Sequence, residues 1–226
     1  MTGQEPRLPA FALPQAQSED GAGQALSGVM GRVSVAVFDF ADPPAELGID
    51  ALVNAANESL LGAGGVDGAV HRAAGPKLLE HNRTLGGCAT GLAVATPAFE
   101  LEPRGVRHLI HTVGPVWQGD DDPTEPAKLG YRLEDNLLAS CYMRSLDLAR
   151  QLGVRCLAFP AISTGAYGFP PDRAARIAFS HVHGFLGRSD TPKRVVFGCF
   201  DDAMAKVYRK AIASRAQWMT SRPRVG

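Results

Sequence analysis

From residue 32 onward the chain alternates between two hydrophobic periods, one of two residues and one of three to four. Val33, Val35 and Val37 recur with period two, which predicts a strand with one buried face running to about Phe40. Residues 49–53 form a short apolar run that fits a buried strand. Residues 68–85 have a helical pattern interrupted at Gly75-Pro76, where proline kinks or restarts a helix. Residues 92–96 and 108–113 predict two further strands. Leu129, Leu133, Leu137, Cys141, Ser145 and Leu148 then recur at helical spacing, marking one long amphipathic helix. Residues 154–162 predict a strand and 171–186 a helix with proline at its start. The last strand is expected at 194–200, and a closing helix at 201–218 along Met204, Val207, Tyr208 and Ile212. Six strands interleaved with helices predict an α/β sandwich, with helices on both faces of one sheet. In such sheets ligands bind where loops leave the carboxyl ends of the strands.

Residues 1–31 carry no sustained apolar period; they mix Pro6, Pro9 and Pro14 with Gly21, Gly23, Gly28 and Gly31. That composition predicts a mobile N-terminal head before a domain at 32–218, with 219–226 as a frayed tail. The 226 residues include 23 Lys+Arg and 23 Asp+Glu, a formal net charge of zero. A neutral chain lacks the basic excess that non-specific nucleic-acid or anionic-membrane binding needs. With 45% hydrophobic residues, no transmembrane-length apolar run and no secretory leader, the expectation is a soluble cytoplasmic protein. Cys88, Cys141, Cys156 and Cys199 are far apart and form no CxxC or Cys/His cluster, so they read as core residues, with no metal and no cofactor implied.

Two loops differ from the rest. The first follows the strand at 49–53 and contains Asn54, Asn57 and then Gly62-Ala63-Gly64-Gly65-Val66-Asp67-Gly68. The second follows the apolar residues 157–160 and reads Ile162-Ser163-Thr164-Gly165-Ala166-Tyr167-Gly168-Phe169-Pro170. Each is a strand, a glycine-rich turn and a helix start. Such a turn lets successive N–H groups point inward, and the helix N-terminus adds partial positive charge. This is a phosphate cradle that needs no Lys or Arg, and two of them suit a diphosphate gripped from both sides. Neither loop contains GxGxxG or GxxxxGK[ST], so the dehydrogenase and P-loop fingerprints are absent.

Val53-Asn-Ala-Ala-Asn57, the Gly-Gly-Val-Asp-Gly segment 64–68, the His71-Arg-Ala-Ala-Gly-Pro76 run, Thr90-Gly91, the His111-Thr-Val-Gly-Pro115 run and the run 158–170 resemble the macrodomain family, its MacroD-type branch in particular. The resemblance extends over about 32–218. It implies a three-layer α/β/α sandwich around a six-stranded mixed sheet that binds ADP-ribose. It also implies hydrolysis of the ester joining mono-ADP-ribose to Asp or Glu side chains of proteins, and deacetylation of O-acetyl-ADP-ribose.

By this resemblance Asn57 holds hydroxyls of the distal ribose, and Asp67 positions or activates the attacking water. Read without it, Asn57 fits a turn and Asp67 a helix N-cap. Asn54 either contacts ribose or ties its loop together. Gly64, Gly65 and Val66 line one side of the ligand, and backbone N–H groups of Ser163, Thr164, Gly165, Ala166, Tyr167 and Gly168 meet the phosphates. Tyr167 is expected as a lid over the distal ribose. Phe200 is expected to stack on adenine, with a core position as its alternative. His71, His108 and His111 read as structural or surface residues.

Two departures from the family pattern stand out. Where the family carries Gly-Asp-Ile-Thr, this chain has Phe38-Asp39-Phe40-Ala41-Asp42-Pro43-Pro44. Pro43 has no N–H to offer adenine, so Asp39 and the Phe40 amide are the expected pair. Ala63 stands where a fourth glycine is common. The leading expectation is an ester hydrolase acting on ADP-ribosylated proteins and O-acetyl-ADP-ribose, with nucleic acid entering only as an ADP-ribosylated substrate. A non-catalytic ADP-ribose reader is the alternative, and a Rossmann-type oxidoreductase is disfavoured by the missing fingerprint.

Overall fold

Strands β1 (Val33–Val37), β2 (Ala51–Ala56), β3 (Ala93–Pro97), β4 (His108–Val113), β5 (Cys156–Phe159) and β6 (Arg194–Cys199) form one sheet in the order β1-β6-β5-β2-β4-β3. All neighbours are parallel except β3, which runs antiparallel to β4. The computed structural model describes residues 28–119 and 132–220. Residues 1–27 of the expected head, Leu129 of the expected long helix, and tail residues 221–226 lie outside the described residues. Residues 28–30 are helical, and Val29 and Met30 pack against the core.

Among the described residues five helices of ten or more residues cover the sheet. On one face lie α1 (Gly65–Ala74) and α2 (Pro76–Leu85), with short 3-10 turns at Ala45–Leu47 and Phe99–Arg104. Their core is Val70, Ala74, Leu78 and Leu101 against Leu52, Leu109, Ala158 and Val196. On the other face lie α3 (Leu133–Gln151), α4 (Pro171–Leu186) and α5 (Asp202–Thr220). There Leu138, Tyr142, Phe179 and Tyr208 meet Val53, Ile110, Phe159 and Phe197. This is the expected three-layer α/β/α sandwich with a six-stranded mixed sheet. The four cysteines are free and buried. No helix among the described residues is long and apolar enough to cross a membrane.

β4 and α4 coincide with the expected spans, and other boundaries shift for local reasons. β1 stops at Val37, short of Phe40, because Phe38 and Phe40 turn inward and stack with ring centroids 4.9 Å apart. Gly198 makes room for them: a Cβ there would stand 2.7 Å from both rings. α1 begins at Gly65, three residues before the expected start, since glycines carry no helical signal of their own. Gly75, with φ at 78°, separates α1 from α2, and Pro76 opens the second helix.

Candidate active site

Because only β3 runs against the others, the exits of β1, β6, β5, β2 and β4 share one edge of the sheet, in that order. The sequence-predicted residues fall on those exits: Asp39 and Phe40 after β1, Phe200 after β6, the loop 160–170 after β5, and Asn57 with the glycine loop after β2. Neighbouring strands lie about 4.8 Å apart, so the four spacings from β1 to β4 span about 19 Å. An extended ligand lying along this edge meets each group in turn.

At the β1 end, the exposed Asp39 accepts the Ala41 N–H at 2.8 Å, and its carbonyl accepts the Asp42 N–H at 2.9 Å. That turn leaves the Phe40 amide without an acceptor among the described residues. Asp42 instead pairs with Arg104 at 3.0 Å on the protein surface. Phe200 is 87% exposed, so it is not a core residue; its ring stands open beside the β1 exit.

The loop after β5 is built around Ser163, whose φ of 67° is a left-handed conformation that costs an L-residue about 1–2 kcal/mol. It is held there by the Phe169 N–H donating to its carbonyl at 3.0 Å and by close approach to Gly114. A Cβ on Gly114 would stand 2.1 Å from Ser163 Oγ. The amides of Thr164 and Gly168 are already used, donating to Ala161 and Gly165. Those of Ser163, Gly165, Ala166 and Tyr167 donate to nothing among the described residues, so the cradle has four open amides, not the expected six. The loop is pinned from β4 by the Trp117 N–H donating to the Tyr167 carbonyl at 2.8 Å. Trp117 also packs its ring on Phe169 at 4.8 Å, beneath Arg132 at 4.4 Å.

On the β2 side, Asn57 does make the turn read from the sequence: its Oδ1 accepts from Ser59 Oγ at 2.7 Å and the Leu60 N–H at 3.1 Å. Among the described residues its amide nitrogen donates to nothing. Gly64 and Gly65 are exposed, with nothing within 4 Å of a Cβ at either position, whereas Gly68 is tightly confined. A Cβ on Gly68 would stand 2.4 Å from the Ala63 carbonyl oxygen.

Asp67 lies in the first turn of α1 and is 2% exposed. It is not the N-cap; Gly64 holds that place, and no side chain caps the helix. Asn54 Nδ2 donates to Asp67 Oδ1 at 2.7 Å, while the buried Oδ2 accepts no hydrogen bond among the described residues. Burial raises the Asp67 pKa, opposed by the Asn54 hydrogen bond, by the positive potential of His71 and by the Ala63 amide. Asn54 is thus a buried partner of Asp67, and their bond joins the two ends of the glycine loop. His71, read from the sequence as structural or surface, stands beside this carboxylate, a neighbourhood that reading did not name. Its Nε2 lies 3.5 Å from Asp67 Oδ1 and it is 12% exposed. The available signal was the i,i+4 spacing, which places both side chains on one face of the helix. Among the described residues no three His, Cys, Asp or Glu side chains group as a metal site.

Comparison with known proteins places the chain in a family. The Macro domain family model matches residues 53–178. A Methanosarcina mazei protein named as macro domain-containing is 52% identical over 165 residues, 73% of this chain and 81% of that protein. A Klebsiella pneumoniae protein named O-acetyl-ADP-ribose deacetylase is 49% identical over 172 residues, 74% of this chain and 91% of that one. An Oceanobacillus iheyensis macrodomain solved with ADP superposes with a TM-score of 0.69 at 34% identity, covering 81% of this chain and 91% of that chain. A Trypanosoma brucei macrodomain in complex with ADP-ribose superposes at 0.67 and 35% identity, covering 80% and 69%.

Proposed function

This chain belongs to the macro domain family, and from that premise we propose that it binds ADP-ribose along the carboxyl edge of its sheet and hydrolyses esters at the distal ribose. The substrates are O-acetyl-ADP-ribose and mono-ADP-ribose carried on Asp or Glu side chains of proteins. Adenine lies between Asp39, the Phe40 amide and the open ring of Phe200. The diphosphate lies between the open amides of 163–167 and the N-terminus of α1, where a helix end favours negative charge. The distal ribose then reaches the β2 exit, where the uncommitted Asn57 amide meets its hydroxyls and Tyr167 covers it.

Hydrolysis adds water across the ester. The water oxygen bonds to the reacting carbon, the carbon–oxygen bond breaks, and the water's proton passes by way of Asp67 to the departing oxygen. Asp67 orients the water with Oδ2 while Asn54 holds Oδ1. A raised pKa brings a carboxylate closer to the pH at which it works as a base, and His71 is placed to follow that proton. The substrate's phosphate shares the orienting task when it lies close.

The observation that carries this reading is the buried Asp67 carboxylate, with Oδ1 bonded to Asn54 and Oδ2 without a partner among the described residues, in a helix that starts at the same edge of the sheet as the open amides of 163–167. A module that only binds has no chemical need for it. The test incubates wild type and Asp67→Ala with O-acetyl-ADP-ribose and follows conversion to ADP-ribose chromatographically, with calorimetric ADP-ribose titrations alongside. Conversion is expected to fall at least ~100-fold in the variant with affinity little changed. ADP-ribose binding without conversion by wild type would make the protein a reader.

A further inference from the structure

Behind Asp67 a row of buried polar side chains crosses three strands. Asn54 on β2 and His111 on β4 are paired directly in the parallel ladder. Thr96 on β3 sits diagonally from His111, whose direct partner is Val94. Asn54 and His111 are 0% exposed and Thr96 3%, on the face that otherwise packs Leu52 and Leu109 under α1 and α2. Buried polar groups persist where each has a partner, so their proton positions can be followed along the row.

The Pro97 carbonyl can only accept, so the Thr96 hydroxyl donates to it, at 3.0 Å. Thr96 Oγ1 is then the acceptor for His111 Nε2 at 3.1 Å, which puts the ring proton on Nε2 and leaves a lone pair on Nδ1. That lone pair takes one N–H of Asn54 Nδ2 at 3.0 Å, and the other N–H goes to Asp67 Oδ1 at 2.7 Å. Turning the Asn54 amide over would set its oxygen against both an ionised carboxylate oxygen and the imidazole lone pair. With Asp67 ionised, the carbonyl at one end and the carboxylate at the other fix every proton between them.

We propose that His111, held by Thr96 as the neutral Nε2–H tautomer, is a positioning residue that locks the Asn54 amide and, through it, the carboxylate that aims the water. His111 touches no substrate; it acts two contacts away. The role rests on the hydrolase reading given above. Burial, with His71 and His81 nearby, pushes the His111 pKa down to about 3, so the ring stays neutral wherever the protein works. The ionisable group facing Asp67 itself is His71, with His111 behind Asn54 and His81 of α2 acting on His111 in turn.

The experiment compares wild type, His111→Leu and His111→Asn on O-acetyl-ADP-ribose, reading kcat, KM and the pH–rate profile. Leucine removes the acceptor for Asn54; asparagine can return one at the Nδ1 position. His111→Leu is expected to lose about 10- to 100-fold in kcat with KM within about twofold, since the carboxylate is misaimed while the binding groups stay. Its acid limb should move to higher pH, because a loosened Asn54 no longer holds down the Asp67 pKa. His111→Asn should recover most of both. A His111→Leu enzyme with wild-type kcat and profile, or a His111→Asn enzyme no better than His111→Leu while still binding ADP-ribose, overturns the proposal. Imidazole nitrogen NMR on wild type needs no turnover and covers the case in which leucine prevents folding. It should show Nε2–H and unprotonated Nδ1 with no titration between pH 5 and 8; an Nδ1–H tautomer sinks the idea. Absence of wild-type turnover would fail the hydrolase reading and this role with it, whereas turnover with an indifferent His111→Leu fails this role alone.

Discussion

A carboxylate enclosed as Asp67 is has a price in stability, and its direction can be worked out. Its folded pKa is raised above the unfolded value, so the folded state binds the proton more tightly. The penalty is absent below about pH 4, where the carboxyl is protonated in both states, and complete above the folded pKa. Asp67→Asn should therefore unfold at a higher temperature than wild type at pH 7, by ~2–4 °C for about 1 kcal/mol, with the gap closing as pH falls. Thermal melts across that range check the sign; a variant that is less stable at neutral pH would contradict it. At the β6 exit Phe200 is 87% exposed, so Phe200→Ala should leave the melt unchanged. If the ring stacks on adenine as proposed, the same substitution should weaken ADP-ribose binding by about tenfold. Asp39→Ala should also weaken it far more than Asp42→Ala, whose carboxylate is turned to Arg104; calorimetry giving the reverse order would move the adenine site.

Among the elements, the glycine loop and α1 form one unit whose shape depends on Gly68. An added methyl would meet the Ala63 carbonyl oxygen at 2.4 Å, so Gly68→Ala must push the loop away from the helix. Overpacking of this kind costs about 1–3 kcal/mol, and ADP-ribose binding should fall with it. Gly64→Ala meets nothing within 4 Å in the free protein and should fold normally, so any loss of affinity there reports contact with ligand. The elements also show what a linear pattern can and cannot convey. β4 and α4 were legible to the residue because their periods run unbroken between clear stops. β2 was legible as a strand but not to its end, since Asn54 interrupts the apolar run while pairing in register with His111. The pairing of Asn54 with Asp67, 13 residues on, was not legible, nor was the side-by-side placement of Asn54 and His111. The first depends on how the helix packs back on its strand and the second on which strands become neighbours, and no local period encodes either.

At the scale of the molecule, the site owes its order to the sheet. The sequence motifs named its pieces, but the strand order β1-β6-β5-β2-β4 sets them in a line from the Phe200 ring to the Asp67 carboxylate. In the proposed binding mode, backbone amides and one helix end, not Lys or Arg, would face the diphosphate, in keeping with a chain of zero formal net charge. Short-range dipoles are screened less than free surface charges, so ADP-ribose affinity should change by no more than about threefold between ~50 and ~300 mM salt. A steep salt dependence would mean that basic side chains carry the phosphates after all. The central claim, that this edge of the sheet performs chemistry as well as binding, is tested most directly on a glutamate-linked mono-ADP-ribosylated protein. Wild type and Asp67→Ala are followed side by side for release of ADP-ribose. Release by wild type that collapses in the variant is the predicted result; release that survives Asp67→Ala, or binding without release by wild type, would contradict it.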